Sequence, residues 1–134
     1  MPAGYSKTPL DKKLGLKNGQ FILLINQPDY YLSLFDEFPN VTEANLQSRD
    51  VDFIHLFTKN QIELKKYFAA AKKALAKNGI LWISWPKKSA KIETDIDGSF
   101  VRNFGLEGSL VDTKVCAVDE TWSGLKFMYR IKDR

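Results

Sequence analysis

Phe21-Ile22-Leu23-Leu24-Ile25-Asn26-Gln27-Pro28 is the stretch whose reading decides the fold. Five successive apolar side chains with no polar alternation describe a strand covered on both faces, as in a parallel sheet, and the Asn-Gln-Pro that follows closes it. Residues 51–57 read the same way, entered through Asp50 and left through Thr58-Lys59-Asn60, with the sole histidine, His55, at mid-strand. Residues 80–85 (Ile-Leu-Trp-Ile-Ser-Trp) form a third such run, stopped by Pro86.

Between these strands the period changes. Tyr31, Leu34, Phe35 and Phe38 recur at helical spacing and predict a helix over 29–38, broken by Pro39-Asn40, with a short strand over 41–46 after it. The clearest helix is predicted over 61–77, where Leu64, Phe68, Ala71 and Leu75 form one stripe and Lys65, Lys66, Lys72, Lys73 and Lys77 lie largely elsewhere. Asn78-Gly79 is expected to end it in the left-handed conformation. Thr94 and Asp95 are read as the cap of a helix that turns Ile96, Phe100, Val101 and Phe104 inward and ends near Gly105. Residues 110–118 and 125–132 read as strands, and the loop Asp119-Glu120-Thr121-Trp122-Ser123-Gly124 is short enough to force them antiparallel. Ahead of all this, Thr8, Pro9 and Asp11 mark a helix start and Gly15 its end, within an N-terminal helical lead-in over 1–18.

The resulting order is that of an α/β chain: a Rossmann-like three-layer domain with a mainly parallel sheet and a C-terminal antiparallel hairpin. At 134 residues and 44% apolar composition, one domain over 1–134 is expected to bury a full core. The formal charge of +4 is a mild excess, compatible with anionic ligands but short of the basic stripe of a dedicated nucleic-acid binder. A single cysteine, Cys116, excludes an internal disulfide and any cysteine-clustered metal site, and no metal site is expected. The chain has no apolar run of membrane length and none resembling a signal peptide, so the expectation is a cytoplasmic protein.

In open sheets of this kind ligands bind outside the carboxyl ends of the parallel strands. That rule selects residues 26–29, 58–60, 86–91 and 119–123 as one edge, and from them Asn26, Trp85, Lys87, Lys88, Asp119, Glu120 and Trp122 as candidate ligand or partner residues. Two tryptophans beside charges of both signs suit a polar or nucleotide-like ligand. Each residue also has a plainer reading: Trp85 capping the core, the lysines solvated, and Asp119 or Glu120 either a general base or a salt bridge to Lys87 or Lys88. No Gly-x-Ser-x-Gly elbow accompanies His55, which is read as a packed structural residue, and Cys116 in its apolar strand is read as an inert thiol.

Three blocks carry a resemblance: Ala3-Gly4-Tyr5-Ser6-Lys7-Thr8-Pro9-Leu10, Ile83-Ser84-Trp85-Pro86-Lys87-Lys88 and residues 115–125 (Val-Cys-Ala-Val-Asp-Glu-Thr-Trp-Ser-Gly-Leu). Together they resemble the bacterial family called domain of unknown function 3052, which brings no activity with it. The succession of helix, glycine, strand, helix and hairpin in the second half resembles class I methyltransferases that use S-adenosylmethionine. That likeness implies their fold with one strand fewer. Such enzymes carry a glycine-rich turn after the first strand, where the backbone approaches the cofactor. Here that turn is Asn26-Gln27-Pro28-Asp29, and no glycine occurs between Gln20 and Asn78. Glu43 would stand where a ribose-binding acid is expected, near the end of the second strand.

The functional expectation is therefore a small binding domain for an anionic or nucleotide-like small molecule, or for a protein partner, at the carboxyl edge of its sheet. A reduced methyltransferase-like enzyme is the alternative, and nucleic-acid binding the weaker one. The residues alone assign neither a cofactor nor a catalytic group.

Overall fold

The computed structural model describes residues 8–134. Met1 to Lys7, with the first part of the expected lead-in, lie outside the described residues. Six strands form one sheet in the order β2-β1-β3-β4-β6-β5. These are β1 Phe21–Ile25, β2 Thr42–Glu43, β3 Val51–Phe57, β4 Leu75–Pro86, β5 Leu110–Ala117 and β6 Trp122–Tyr129. β2, β1, β3 and β4 are mutually parallel, and β6 runs antiparallel to both β4 and β5. The α/β, Rossmann-like, mainly parallel architecture with a closing hairpin is therefore the one the chain adopts.

One face of the sheet buries Ile54, Leu56, Leu81, Ile83 and Trp85 against Leu64, Phe68 and Ala71 of α2 (Gln61–Ala74) and Val101 of α3 (Gly98–Glu107). The other face is aromatic: Phe53, Phe57, Trp82 and Trp122 pack with Tyr31, Phe35 and Leu14. Among the described residues it is covered by the short α1 (Leu10–Leu14), a 3-10 turn, Tyr31–Leu34, and neighbouring loop residues such as Leu16 and Phe35. The indole N–H of Trp82 donates to the Leu14 carbonyl at 2.7 Å, which fixes α1 onto the sheet.

Several boundaries differ from the sequence reading, each for a local reason. The helix expected over 29–38 contracts to the 3-10 turn because Tyr31, Phe35 and Phe38 make one edge-on aromatic cluster, which needs convergence and not helical continuity. α1 is capped by Pro9, with no side-chain cap, and ends as expected at Gly15 (φ 84°). α2 stops at Ala74 because buried Leu75 is already extended and pairs with Val51. Gly79 therefore does not cap the helix. A Cβ there would stand 2.8 Å from the Val51 carbonyl oxygen, so the position serves a close approach of backbones. α3 starts at Gly98 with Asp97 as its cap, its side chain accepting from Phe100 N–H at 2.9 Å, and Thr94 and Asp95 lie upstream. The second strand shrinks to two residues, and the last one starts at Trp122 and not at Leu125.

Candidate functional site

Because β1, β3 and β4 are parallel and β5 runs with them, their carboxyl ends open on one edge of the sheet. The hairpin loop and the end of β4 are joined there by Lys87 N–H donating to the Thr121 carbonyl at 2.8 Å. The edge is nevertheless divided in two by the sheet itself.

In the antiparallel register Trp85 faces Ser123 and Pro86 faces Trp122, so the two tryptophans point to opposite faces. Trp85, 9% exposed, belongs to the core under α2 and α3, and Trp122, 5% exposed, stacks edge-on to Phe57 at 5.0 Å in the aromatic layer. Neither offers the open stacking surface expected of it. Trp122 is not a loop residue at all. Its N–H and that of Thr121 donate to one oxygen of Asp119, at 2.7 and 2.8 Å, and Val118 N–H donates to the Trp122 carbonyl. This tight turn pulls Trp122 into β6. A carboxylate following an apolar strand, with Thr two residues on, is the signal of such a turn. Gly124 is another, since a Cβ there would lie 3.1–3.3 Å from Trp82, Ser84 and Val118, marking a close approach inside a strand.

Asp119 also accepts from the Tyr30 hydroxyl at 2.8 Å, so the carboxylate proposed as a base or a salt-bridge partner of lysine is bound by three donors instead. Burial, and then the bond to Asp119, hold the Tyr30 phenol above its ordinary range. Glu120 is exposed, and among the described residues neither acid pairs with Lys87 or Lys88.

On the α-helical side of the edge, Trp85, Lys87 and Lys88 line a cleft of about 760 Å³ with Asp95, Asp97 and Phe100. Both acids are committed to backbone donors, Asp95 to Gln61 N–H and Asp97 to Phe100 N–H. On the β1–β2 side the structure brings together residues that the candidate set largely missed. Asn26 is exposed and left-handed (φ 57°), and its amide reaches the Phe57 carbonyl at 3.4 Å, bridging β1 to β3. Gln27, Pro28, Asp29, Tyr31 and Leu32 line a cleft of about 270 Å³ with Glu43, the last residue of β2. Glu43 is exposed, and its carboxylate has no partner among the described residues.

His55 lies outside both clefts. It is fully buried between the Tyr31 hydroxyl at 2.9 Å and the Ser84 hydroxyl at 2.7 Å, and stacks on Phe57 at 4.2 Å. Desolvation pushes its pKa down to about 3 and that of Tyr31 up, so the imidazole is neutral and each ring nitrogen is used. Burial likewise raises the Cys116 thiol, against the pull of Lys13, Lys114 and Lys87.

The chain matches no protein-family model and no curated protein, so the likeness to domain of unknown function 3052 rests on the quoted sequence blocks alone. Among the described residues no helix is long and apolar enough to cross a membrane. Solved structures do match. A SAM-dependent methyltransferase from Aquifex aeolicus aligns with 89% of this chain and 87% of its own at 18% identity, with a TM-score of 0.60. A putative type 11 methyltransferase from Sulfolobus solfataricus covers 90% and 89% at 16% identity, with a TM-score of 0.64. A TehB-like SAM-dependent methyltransferase from Corynebacterium glutamicum covers 96% and 91% at 13% identity, with a TM-score of 0.55. At these identities the likeness establishes the fold: the chain is built like a methyltransferase of the Rossmann-like type.

Proposed function

We propose that this chain is a trimmed methyltransferase-like domain that binds a nucleoside-type ligand at the carboxyl ends of β1 and β2, with Glu43 as the acceptor for its sugar hydroxyls. The observation that carries this reading is the carboxylate of Glu43, unpartnered among the described residues at the last position of β2, in a cleft shared with the turn after β1. An ionised carboxylate only accepts, and a ribose diol supplies two donors. The backbone of the turn after β1 is also compatible with this reading. Asn26 takes the left-handed conformation that glycine usually fills, because a short amide side chain tolerates it.

The fit extends to part of the cofactor that the fold suggests. A cleft of about 270 Å³ lies just below the usual range for small-molecule sites, which begins near ~300 Å³, and suits a nucleoside better than a whole dinucleotide. S-adenosylmethionine, when bound, would supply a methyl group activated for transfer. This chain would contribute Glu43, Gln27 and the Asn26 turn toward its nucleoside. Isothermal titration with S-adenosylmethionine and S-adenosylhomocysteine tests the reading. Saturable binding of either supports it, and Glu43→Gln should weaken that binding about tenfold, as loss of a hydrogen bond to a charged group does. Absence of binding by both compounds, or affinity indifferent to Glu43→Gln, removes it.

The Trp85, Lys87 and Lys88 cleft supports a second reading, in which an anionic small molecule binds on the helical side of the edge. At about 760 Å³ it has the volume of a ligand pocket, and Asp95 and Asp97 spend their charge on helix N-termini, not on the lysines. Lys87→Glu with Lys88→Glu should abolish anion binding there and leave binding at Glu43 intact.

A further inference from the structure

We propose that Lys13, Lys114 and Lys126 form a binding site for the phosphate group of a small ligand, on the aromatic face of the sheet beside α1. The inference is independent of Glu43, which lies at the opposite edge. In the register of the last hairpin Lys114 and Lys126 are direct cross-strand partners, and Lys126 is also the partner of Trp82 in β4. Both lysines therefore project from the face that Trp82 fastens to Leu14 of α1, the helix that carries Lys13. Lys114 Nζ donates to the Lys13 carbonyl at 3.4 Å, which brings its ammonium to the same helix. The Lys13 ammonium in turn lies close enough to the buried Cys116 to favour its thiolate.

Lysines from α1, β5 and β6 thus share one stretch of this face, Lys114 lying beside both Lys126 and the end of α1, and no ion pair to an acid joins them among the described residues. Lys13 and Lys126 are half-buried, and neither has a carboxylate partner among the described residues. The described ion pair, Arg102 with Asp112, belongs to the opposite face, since Asp112 stands across from core residue Phe127. Residues 1–7, Met-Pro-Ala-Gly-Tyr-Ser-Lys, contain no acid that could supply one. Like charges placed directly across a strand pair destabilise it. Burial, followed by the charge of Lys114, makes Lys126 easier to deprotonate than an ordinary lysine. Capping of the α1 carbonyls accounts for Lys114 but leaves Lys126 unexplained. A phosphate dianion answers both, because its oxygens accept from several ammonium donors at once and cancel the repulsion.

The test uses inorganic pyrophosphate as the probe, on the full chain, with sodium chloride at matched ionic strength as reference. The site predicts a saturable rise in Tm, roughly 8–10 °C at about one hundred times Kd. It also predicts slower labelling of Cys116 by a thiol reagent, which is unambiguous because the chain has no other cysteine. Lys126→Gln should raise the Tm of the free chain and weaken pyrophosphate at least tenfold. A lysine held only for structure would not give that pairing of signs. Lys114→Gln, which also gives up the bond to the Lys13 carbonyl, should weaken pyrophosphate at least tenfold too, and keeps the test decisive if Lys126→Gln folds poorly. Absence of a saturable shift beyond matched salt overturns the proposal. So does tighter binding of a single-stranded oligonucleotide with a log–log salt slope steeper than about −2, the limit for three phosphate contacts, which would reassign the lysines to nucleic acid.

Discussion

Lowering the pH from 7.5 to 5.0 should destabilise this protein by about 2 kcal/mol through one residue. His55 is the only histidine in the chain, is fully buried, and is held neutral between Tyr31 and Ser84, with desolvation depressing its pKa to about 3. Unfolded, the same imidazole takes up a proton below about pH 6.5, so in the window between the two values the unfolded state binds more protons and stability falls as pH falls. At pH 5.0 the unfolded chain gains RT ln(1 + 10^1.5), roughly 2 kcal/mol, and this figure hardly changes while the folded value stays more than a unit below 5. For a chain of this length that corresponds to a drop in Tm of roughly 8 °C. Carboxylates mostly titrate lower and the α-amino group higher, so the histidine dominates the window. Urea denaturation at both pH values, on the wild type and on His55→Gln, is the measurement. The variant should be weaker at pH 7.5 yet flat between the two pH values. A wild type that is equally stable at both would refute the neutral, buried imidazole and with it the hydrogen-bonded chain through the aromatic layer.

Three other substitutions probe the packing that positions the edge. Gly105→Ala should cost about 2–3 kcal/mol by chemical denaturation, because the added Cβ would fall well inside contact distance of the Phe127 ring, which is locked in the core. Asp119→Ala should cost about 1–2 kcal/mol, since Thr121 N–H, Trp122 N–H and the Tyr30 hydroxyl all lose their acceptor, and Trp122 fluorescence should redden as the turn loosens. Trp82→Phe removes the N–H that reaches Leu14 and should cost about 2 kcal/mol or more. Limited proteolysis should then cut near α1 first.

The fold was legible because its decisive strands are buried on both faces. Residues 21–25 and 51–57 have no polar alternation, and the strands found there are β1 and β3 with those same bounds. What misled was the covering layer on the aromatic face. Tyr31, Leu34, Phe35 and Phe38 satisfy a helical period, but residues at i, i+3, i+4 and i+7 also describe a loop in which Phe35 and Phe38 gather on Tyr31, itself packed on Phe57 and His55. Tertiary aromatic packing overrode the periodic signal. Gly79 failed in the same manner: a glycine after a helix was read as a conformational requirement, when its real constraint is the Val51 carbonyl across the ladder.

The edge itself was predictable from strand direction, whereas the ownership of its side chains was not. Whether Trp122 is a loop residue or a strand residue depends on where a hairpin turn closes, and a shift of three positions moved it from solvent to the core. Once Trp122 enters β6, the period of two assigns Trp85 and Trp122 to opposite faces, and no arrangement of loops can bring them to one ligand. The same logic enlarges the importance of Glu43. A two-residue edge strand buries nothing, so its side chains answer to solvent or to a ligand and not to the core. Leu32, 59% exposed, lines the cleft with Glu43, whereas Tyr30 reaches across to Asp119 of the hairpin. The physical asymmetry of the edge, with one side spent on core packing and helix capping and the other carrying an uncommitted acid beside the exposed Leu32, is what moves the nucleoside reading from the end of β4 to the ends of β1 and β2.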